Sequence, residues 1–405
     1  MRNSERVRSA RVFLALFTAI LTLAATANAQ VINGRLVDAS DSSAVAYAAV
    51  SLPDGRSGTV TNELGEFALD GSGADSLLVY HLNYGVTAHP LAGRASPYVI
   101  ALPPLAIDLD EVVVSATPPG DLLYEAIRRS EAALALPTYL NTYYRELVEV
   151  SGEVATYADG LVNYLVERKG KSKLKTGVWV EDSRSVQLTD DEEWSDVSSS
   201  LKIARAPEAM APRLMGYFLD EGERDRYDFE RRGGSAGQTI VRAIPKPEVE
   251  DYLFGGQVVI DEASGLIREV TLSLSPDHVQ YVPKLNLLLI KFEYIAAAKR
   301  TYFDIGPAGY RLAYNITEET YRIWNNKSLD ETIHSTRDIL VTHARPYDTG
   351  MEAGEPYKKS ALYKRDAPPM TEFWRGARAM QLTPEQARVV KSLEERVVRE
   401  GTAVD

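Results

Sequence analysis

The chain has 405 residues, 45 Lys and Arg against 57 Asp and Glu, a net charge of −12, and no cysteine. Acidity on that scale argues against nucleic acid and anionic lipid surfaces as main partners. Without cysteine there is neither a disulfide framework nor a lipid-modified cysteine, so stability must come from buried apolar area, which a chain of this length supplies over two domains.

Residues 1–29 read as a signal peptide. Arg2, Arg6, Arg8 and Arg11 form a basic start, 12–25 is mostly apolar, and Ala27-Asn28-Ala29 is a small-x-small cleavage signal in which Ala27 and Ala29 are the recognition residues. The apolar run is shorter than the roughly 20 residues needed to span a bilayer. Removing the leader's four Arg and one Glu moves the net charge from −12 to −15. The expected address is the periplasm or an outer-membrane-associated position, without a lipoprotein anchor, and no transmembrane segment is expected in the mature chain.

Residues 30–114 carry short apolar runs separated by turn residues every eight to twelve positions, the spacing of an all-β sandwich. Strands are predicted over 32–37, 48–52, 58–61, 66–69, 77–80, 86–88 and 99–102, all antiparallel. Asp54-Gly55 and Gly71-Ser72-Gly73 serve as turns, and Pro90 and Pro97 are confined to strand ends or edges.

Four pieces of this stretch carry a resemblance: Asn33-Gly34-Arg35-Leu36-Val37-Asp38, Ala48-Ala49-Val50-Ser51-Leu52, the run from Gly58 to Phe67 (GTVTNELGEF), and Leu109-Asp110-Glu111-Val112-Val113-Val114. Together they resemble the carboxypeptidase-regulatory-like domain of Bacteroidota envelope proteins. The resemblance implies a transthyretin-like or Ig-like sandwich. Asn83-Tyr84-Gly85 stands where such domains carry a Gly-Tyr pair. A zinc-carboxypeptidase site needs a His and a Glu at short spacing plus a later His. His81, His89, His278, His334 and His343 offer no such set.

Residues 115–120, with Pro118-Pro119, form a linker, since paired prolines break helix and ladder alike. Asp121 then N-caps a helix over 122–135, with Leu123, Ile127 and Leu134 on one stripe, until Pro137. A larger antiparallel domain is expected over 121–365. It opens with a hairpin, 143–150 with 157–167, and a strand at 174–180. Tyr143-Tyr144-Arg145-Glu146 resembles the helix-then-FYRE opening of uncharacterised envelope proteins of the same bacteria, without an activity attached.

From 183 to 206 the chain is polar and reads as a loop, and 207–219 as a short helix interrupted by Pro212. Strands follow at 227–232, 239–244, 257–260 and 266–274. In the last of these Val270, Leu272 and Leu274 face a core while Glu269, Thr271 and Ser273 face water. Leu288, Ile290, Phe292 and Tyr294 share a face, as do Leu312, Tyr314 and Ile316. Further strands at 320–324 and 332–342 turn through Asn325-Asn326-Lys327. A large curved sheet with a few covering helices results. It is reminiscent of the half-barrels of periplasmic lipoprotein carriers. A membrane barrel is disfavoured by charges opposite the core face and by long polar insertions. Residues 366–405 form a helical tail. It opens at Thr383-Pro384-Glu385-Gln386, a capping box with proline at the first helical position, and runs to about residue 399 with Val389, Leu393 and Val397 on one stripe.

Local motifs reduce to structure. Gly233-Gly234-Ser235-Ala236-Gly237 matches the nucleophile-elbow pattern, but a strand rather than a helix follows, so it reads as a hairpin turn. Asp190-Asp191-Glu192-Glu193 lacks a glycine to wrap it around calcium and reads as a solvated loop. The bias of 22 Tyr against 9 Phe suits cross-strand packing first and a recognition surface second. No catalytic, cofactor or metal residue is nominated. The expectation is a non-enzymatic envelope binding or scaffold protein, engaging another envelope protein, a glycan or an apolar ligand through its second domain. The alternatives are a hydrolase of envelope polymers acting through dispersed carboxylates, or a carrier with an apolar cavity.

Overall fold

The computed structural model of the chain describes residues 31–53, 58–71, 73–81, 83–92, 96–104, 117–170, 173–187, 202–234, 237–287, 290–306, 309–352, 354–365, 381–384, 386–389 and 391. The leader with Ala27 and Ala29, the turn at 54–55, the Leu109–Val114 motif, the acidic run at 190–193, Leu288, and Leu393 and Val397 of the tail lie outside them.

Alternation in the first stretch folds as its pattern dictates. Strands β1 (Val31–Asp38), β4 (Glu66–Asp70) and β7 (Tyr98–Leu102) form one sheet in the order β4-β1-β7. Strands β2 (Ala49–Ser51), β3 (Gly58–Val60), β5 (Ser76–His81) and β6 (Gly85–Pro90) form the other in the order β3-β2-β5-β6. Ile32, Leu36, Val50, Phe67, Leu77 and Val79 fill the space between the two. Pro90 ends an edge strand, and Gly85 takes a φ of 70° in the turn where the resemblance departs from its pattern. One expectation is corrected: β1 and β7 run parallel. No hairpin joins them, and only a tight hairpin forces antiparallel pairing; inward and outward alternation does not encode strand direction.

The helix α1 spans Pro119–Ala133, two residues earlier than the predicted N-cap. Pro119 sits in its first turn, where a missing N–H costs nothing, so the second proline of the pair starts the helix instead of excluding it. The segment from 203 to 226, expected to hold a short helix over 207–219, is instead a chain of 3-10 turns, beginning with Ile203–Met210 and Pro212–Met215. Pro207 and Pro212 remove the N–H groups that a continuous α-helix would need.

The remaining strands are β8 (Thr138–Val150), β9 (Glu153–Lys169), β10 (Lys173–Gln187), β11 (Tyr227–Gly233), β12 (Gln238–Pro245), β13 (Phe254–Asp261), β14 (Ile267–Leu274), β15 (Leu285–Leu287), β16 (Ile290–Gly306), β17 (Gly309–Trp324) and β18 (Asp330–Pro346). Among the described residues they form one 11-stranded antiparallel, curved sheet, in the order β10-β9-β8-β18-β17-β16-β14-β13-β12-β11, with β15 on β16. Several strands run longer than predicted: β10 extends to Gln187, into the expected loop, and β8 begins at Thr138.

Both faces of this sheet are covered. On the helix face, Leu123, Tyr124 and Ile127 of α1 pack with Val241, Val258, Val270, Leu272, Phe303 and Leu312. Ser130 Oγ of α1 accepts the Ile267 N–H at 2.9 Å, pinning the helix to β14. On the opposite face sits the sandwich, through Ala49, Val60 and Tyr80 against Tyr143, Tyr302, Tyr314, Ile316 and Leu340. The expected wet side of β14 is therefore covered at one end only: Glu269 is 2% exposed, Thr271 is half-buried, and Ser273 is exposed as expected. The expected face shared by Leu312, Tyr314 and Ile316 is also corrected. A register shift between Tyr302 and Phe303 inserts Ala313, so Leu312 joins the helix-face core while Tyr314 and Ile316 meet the sandwich.

Candidate functional site

The sandwich face shows how the sheet treats buried charge when the purpose is packing. Arg145 Nε donates to Asp338 Oδ2 at 2.6 Å, and Arg184 Nε and Nη2 donate to the Asp159 carboxylate at 2.7 and 2.9 Å. Tyr143 and Tyr157 hydroxyls add donors to Asp159 Oδ2 at 2.6 and 2.7 Å. Gln386 of the tail accepts from Arg145 Nη1 at 2.8 Å. Its Oε1 also accepts the Thr383 N–H at 3.0 Å, while Thr383 Oγ1 accepts the Gln386 N–H at 3.2 Å, the reciprocal capping box read from the sequence. The tyrosine bias is spent here on packing, with Tyr80 stacked on Tyr302 at 4.7 Å and Tyr302 on its cross-strand partner Tyr314 at 5.5 Å.

The helix face treats charge differently. Pairing register sets Lys299, Thr317, Arg337 and Glu146 side by side across β16, β17, β18 and β8. Two residues along lie Glu319 and Ser335, themselves cross-strand partners. These positions point to the same side as the apolar Ile333, Ile339 and Val341 of β18, so they are polar residues on an otherwise apolar stripe. Above them the 3-10 turns leave a cavity of about 180 Å³. Lys299, Asn315, Thr317, Glu319 and Arg337 floor it, and Lys202, Arg205, Ala206, Glu208, Ala209, Leu214 and Met215 roof and rim it.

The roof is anchored at several points. Ile203, Ala206 and Met210 are buried in the helix-face core, and the Ile203 N–H donates to Ser360 O at 2.8 Å. Arg213 bonds Glu131 of α1 through its backbone N–H at 3.3 Å, and Tyr124 of α1 donates to Phe218 O at 3.1 Å. Thr301 Oγ1 of β16 lies 3.9 Å from Met215 Sδ, a further contact between the turns and the sheet.

In the cavity floor and at Ser335 beside it, polar demand exceeds polar supply. Arg337 Nε, Glu319 Oε2 and Ser335 Oγ are buried without a hydrogen-bond partner among the described residues. Arg337 is 9% exposed and Glu319 7%. Burial holds the Lys299 ammonium below its ordinary proton affinity, with Arg337 pushing the same way and Glu319 and Glu208 opposing. Glu146, beside Arg337, has its carboxyl pushed up to about 7 by burial, even though the Tyr363 N–H at 2.7 Å and the Tyr144 hydroxyl at 3.0 Å favour its ionised form.

Sequence reasoning nominated no residue of this cavity, although the charged positions on an apolar stripe were a readable signal. The motifs it weighed fall elsewhere. Gly233 ends β11 and Gln238 begins the antiparallel β12, as a hairpin requires. His278 is buried in contact with Ser275 Oγ at 3.0 Å and Lys246 O at 3.2 Å. Among the described residues no group of three or more His, Asp or Glu side chains is placed to hold a metal, and no helix is long and apolar enough to cross a membrane.

No protein family matches the chain by sequence, and no curated protein matches it. By structure it is similar to a DUF1329 family protein from Desulfovibrio piger, at 12% identity over 58% of this chain and 96% of that one, with a TM-score of 0.24. A domain described as an outer membrane lipoprotein-sorting protein from Vibrio parahaemolyticus aligns at 10% identity over 57% of this chain and 95% of its own, with a TM-score of 0.23. Lipovitellin, in a structure described for lipid–protein interactions, aligns at 8% identity over 57% of this chain and 28% of its own, with a TM-score of 0.21. Likeness at this level says nothing about ligand or partner.

Proposed function

We propose that the chain is an exported, non-enzymatic binding protein of the cell envelope, with its ligand seated in the cavity between the 3-10 turns and strands β16 to β18. The basic, apolar and small-x-small leader supports export, and the resemblance of residues 31–114 to carboxypeptidase-regulatory-like domains supports an accessory role for the sandwich. One observation carries the binding reading. Both faces hold buried polar atoms without a hydrogen bond, Asp338 Oδ1 and Glu269 Oε1 on the sandwich face among them, but there each carboxylate has an ion-pair partner, Arg145 and Arg300, whereas Arg337 and Glu319 line a cavity with no ion pair among the described residues.

Each such group costs about 1–3 kcal/mol if left unsatisfied. Water fills a polar cavity of this kind in the free chain, and a polar ligand replaces it. At roughly 30 Å³ per water the space holds about six waters, the size of a small polar molecule or the head of a larger one. Its lining favours a polar ligand over an apolar one.

The test is thermal denaturation of the full chain with a panel of sugars, polyols, amino acids, carboxylates and phosphates, repeated on Ala209→Phe, which fills the cavity from its roof. At least one compound should raise the melting temperature of the natural chain and leave the variant unmoved. A panel without any shift, or shifts that persist in the variant, would sink the reading.

A further inference from the structure

Resting on that reading, we infer that the group held in the cavity is an oxyanion, the carboxylate or phosphate of a ligand that also carries a hydroxyl. Four cations line the cavity, Lys202, Arg205, Lys299 and Arg337, against two carboxylates, Glu208 and Glu319. This local excess of positive charge lies in a chain whose net charge is −12. A neutral ligand would displace water from the half-buried Lys299 and the buried Arg337 and leave four lining cations offset by only two lining carboxylates, whereas an anion between Lys299 and Arg337 supplies negative charge where the excess lies.

The geometry of the two cations suits this. Lys299 and Arg337 flank Thr317 on adjacent strands, so their Cα atoms stand about 10 Å apart by strand spacing. Side chains of that length reach inward from both sides to a group bound over Thr317. The guanidinium offers a planar fork that matches a carboxylate or phosphate edge, and the ammonium a point charge. Lys202 and Arg205, both exposed at the rim, draw anions toward the mouth. Glu319 then selects within the class. Its unpartnered Oε2 repels a second anionic group and accepts a hydrogen bond from a hydroxyl of the same ligand.

The full chain is titrated calorimetrically with inorganic phosphate, with lactate as a hydroxylated carboxylate, and with glycerol as the neutral control. The natural chain, Arg337→Gln, Lys299→Gln and Ala209→Phe are compared, with folding checked by circular dichroism. Phosphate or lactate should bind, weakened at least tenfold in Arg337→Gln and in Lys299→Gln and lost in Ala209→Phe, while glycerol does not bind. The two anion arms separate a phosphate from a carboxylate site, and if one variant fails to fold the other decides. Anions that bind equally well to both charge variants overturn the inference. Glycerol binding without anion binding, abolished by Ala209→Phe, overturns it while leaving the binding reading intact. Absence of binding by all three overturns it too, and a silent thermal panel would then remove the binding reading as well.

Discussion

Replacing Glu146 by glutamine should remove a pH dependence built into β8 beside Arg337. In the folded chain the buried carboxyl keeps its proton to about 7, against an ordinary value of 4.5 that the unfolded chain recovers. Between those values the native state holds a proton that the unfolded state has released, so stability falls as pH rises. Each pH unit costs about 1.4 kcal/mol, and the whole interval about 3 kcal/mol. The loss is complete above the folded value, and below 4.5 it vanishes. Glutamine keeps the shape. Its carbonyl accepts the Tyr363 N–H that Glu146 Oε1 now accepts, and its amide faces the Tyr144 hydroxyl, which can rotate to accept. Urea denaturation of both proteins at half-unit steps from pH 4 to pH 8.5 isolates the term as the difference between the two curves. Glu146→Gln should gain on the natural chain by about 3 kcal/mol across that range. Parallel curves would mean that Glu146 ionises normally and that burial beside Arg337 is not the controlling effect.

Other substitutions probe the contrast between the two faces. Arg337→Met, similar in volume and without a buried unpaired guanidinium, should leave stability unchanged or raise it by up to about 4 kcal/mol in urea titration, whereas Arg145→Met, which strands Asp338 and Gln386, should cost about 3–5 kcal/mol. Gly256→Ala would bring a Cβ within 2.0 Å of the Thr271 carbonyl oxygen, so β13 must shift; a loss of about 1–3 kcal/mol in thermal unfolding is expected. Gln386→Ala breaks the capping box and the contact to Arg145, and should cost about 1 kcal/mol and speed proteolysis within the tail at 383–391.

Strand positions were legible because alternation is a direct image of burial. Val270, Leu272 and Leu274 face the helix core as the period of two demands. What covers the other side is not written in that period, so Glu269 read as wet although Tyr80 and its neighbours on the sandwich bury it. A single inserted residue, Ala313, moved Leu312 to the opposite face, and no composition rule marks a bulge. Pro119 was read as a breaker when its neighbours made it a starter. The cavity escaped for a related reason. Ser335 and Arg337 interrupt the stripe of Ile333, Ile339 and Val341, but whether such an interruption is solvated, paired or covered depends on the 3-10 turns above it. Their proline-broken pattern predicted a short helix and said nothing of where it would lie.

The most direct measurement is a crystal structure of the full chain soaked in arsenate, a phosphate analogue whose anomalous scattering marks its position. The account predicts an anomalous peak over Thr317, within hydrogen-bonding reach of Arg337 and Lys299. Peaks confined to the outer surface, with only water over Thr317, would contradict it.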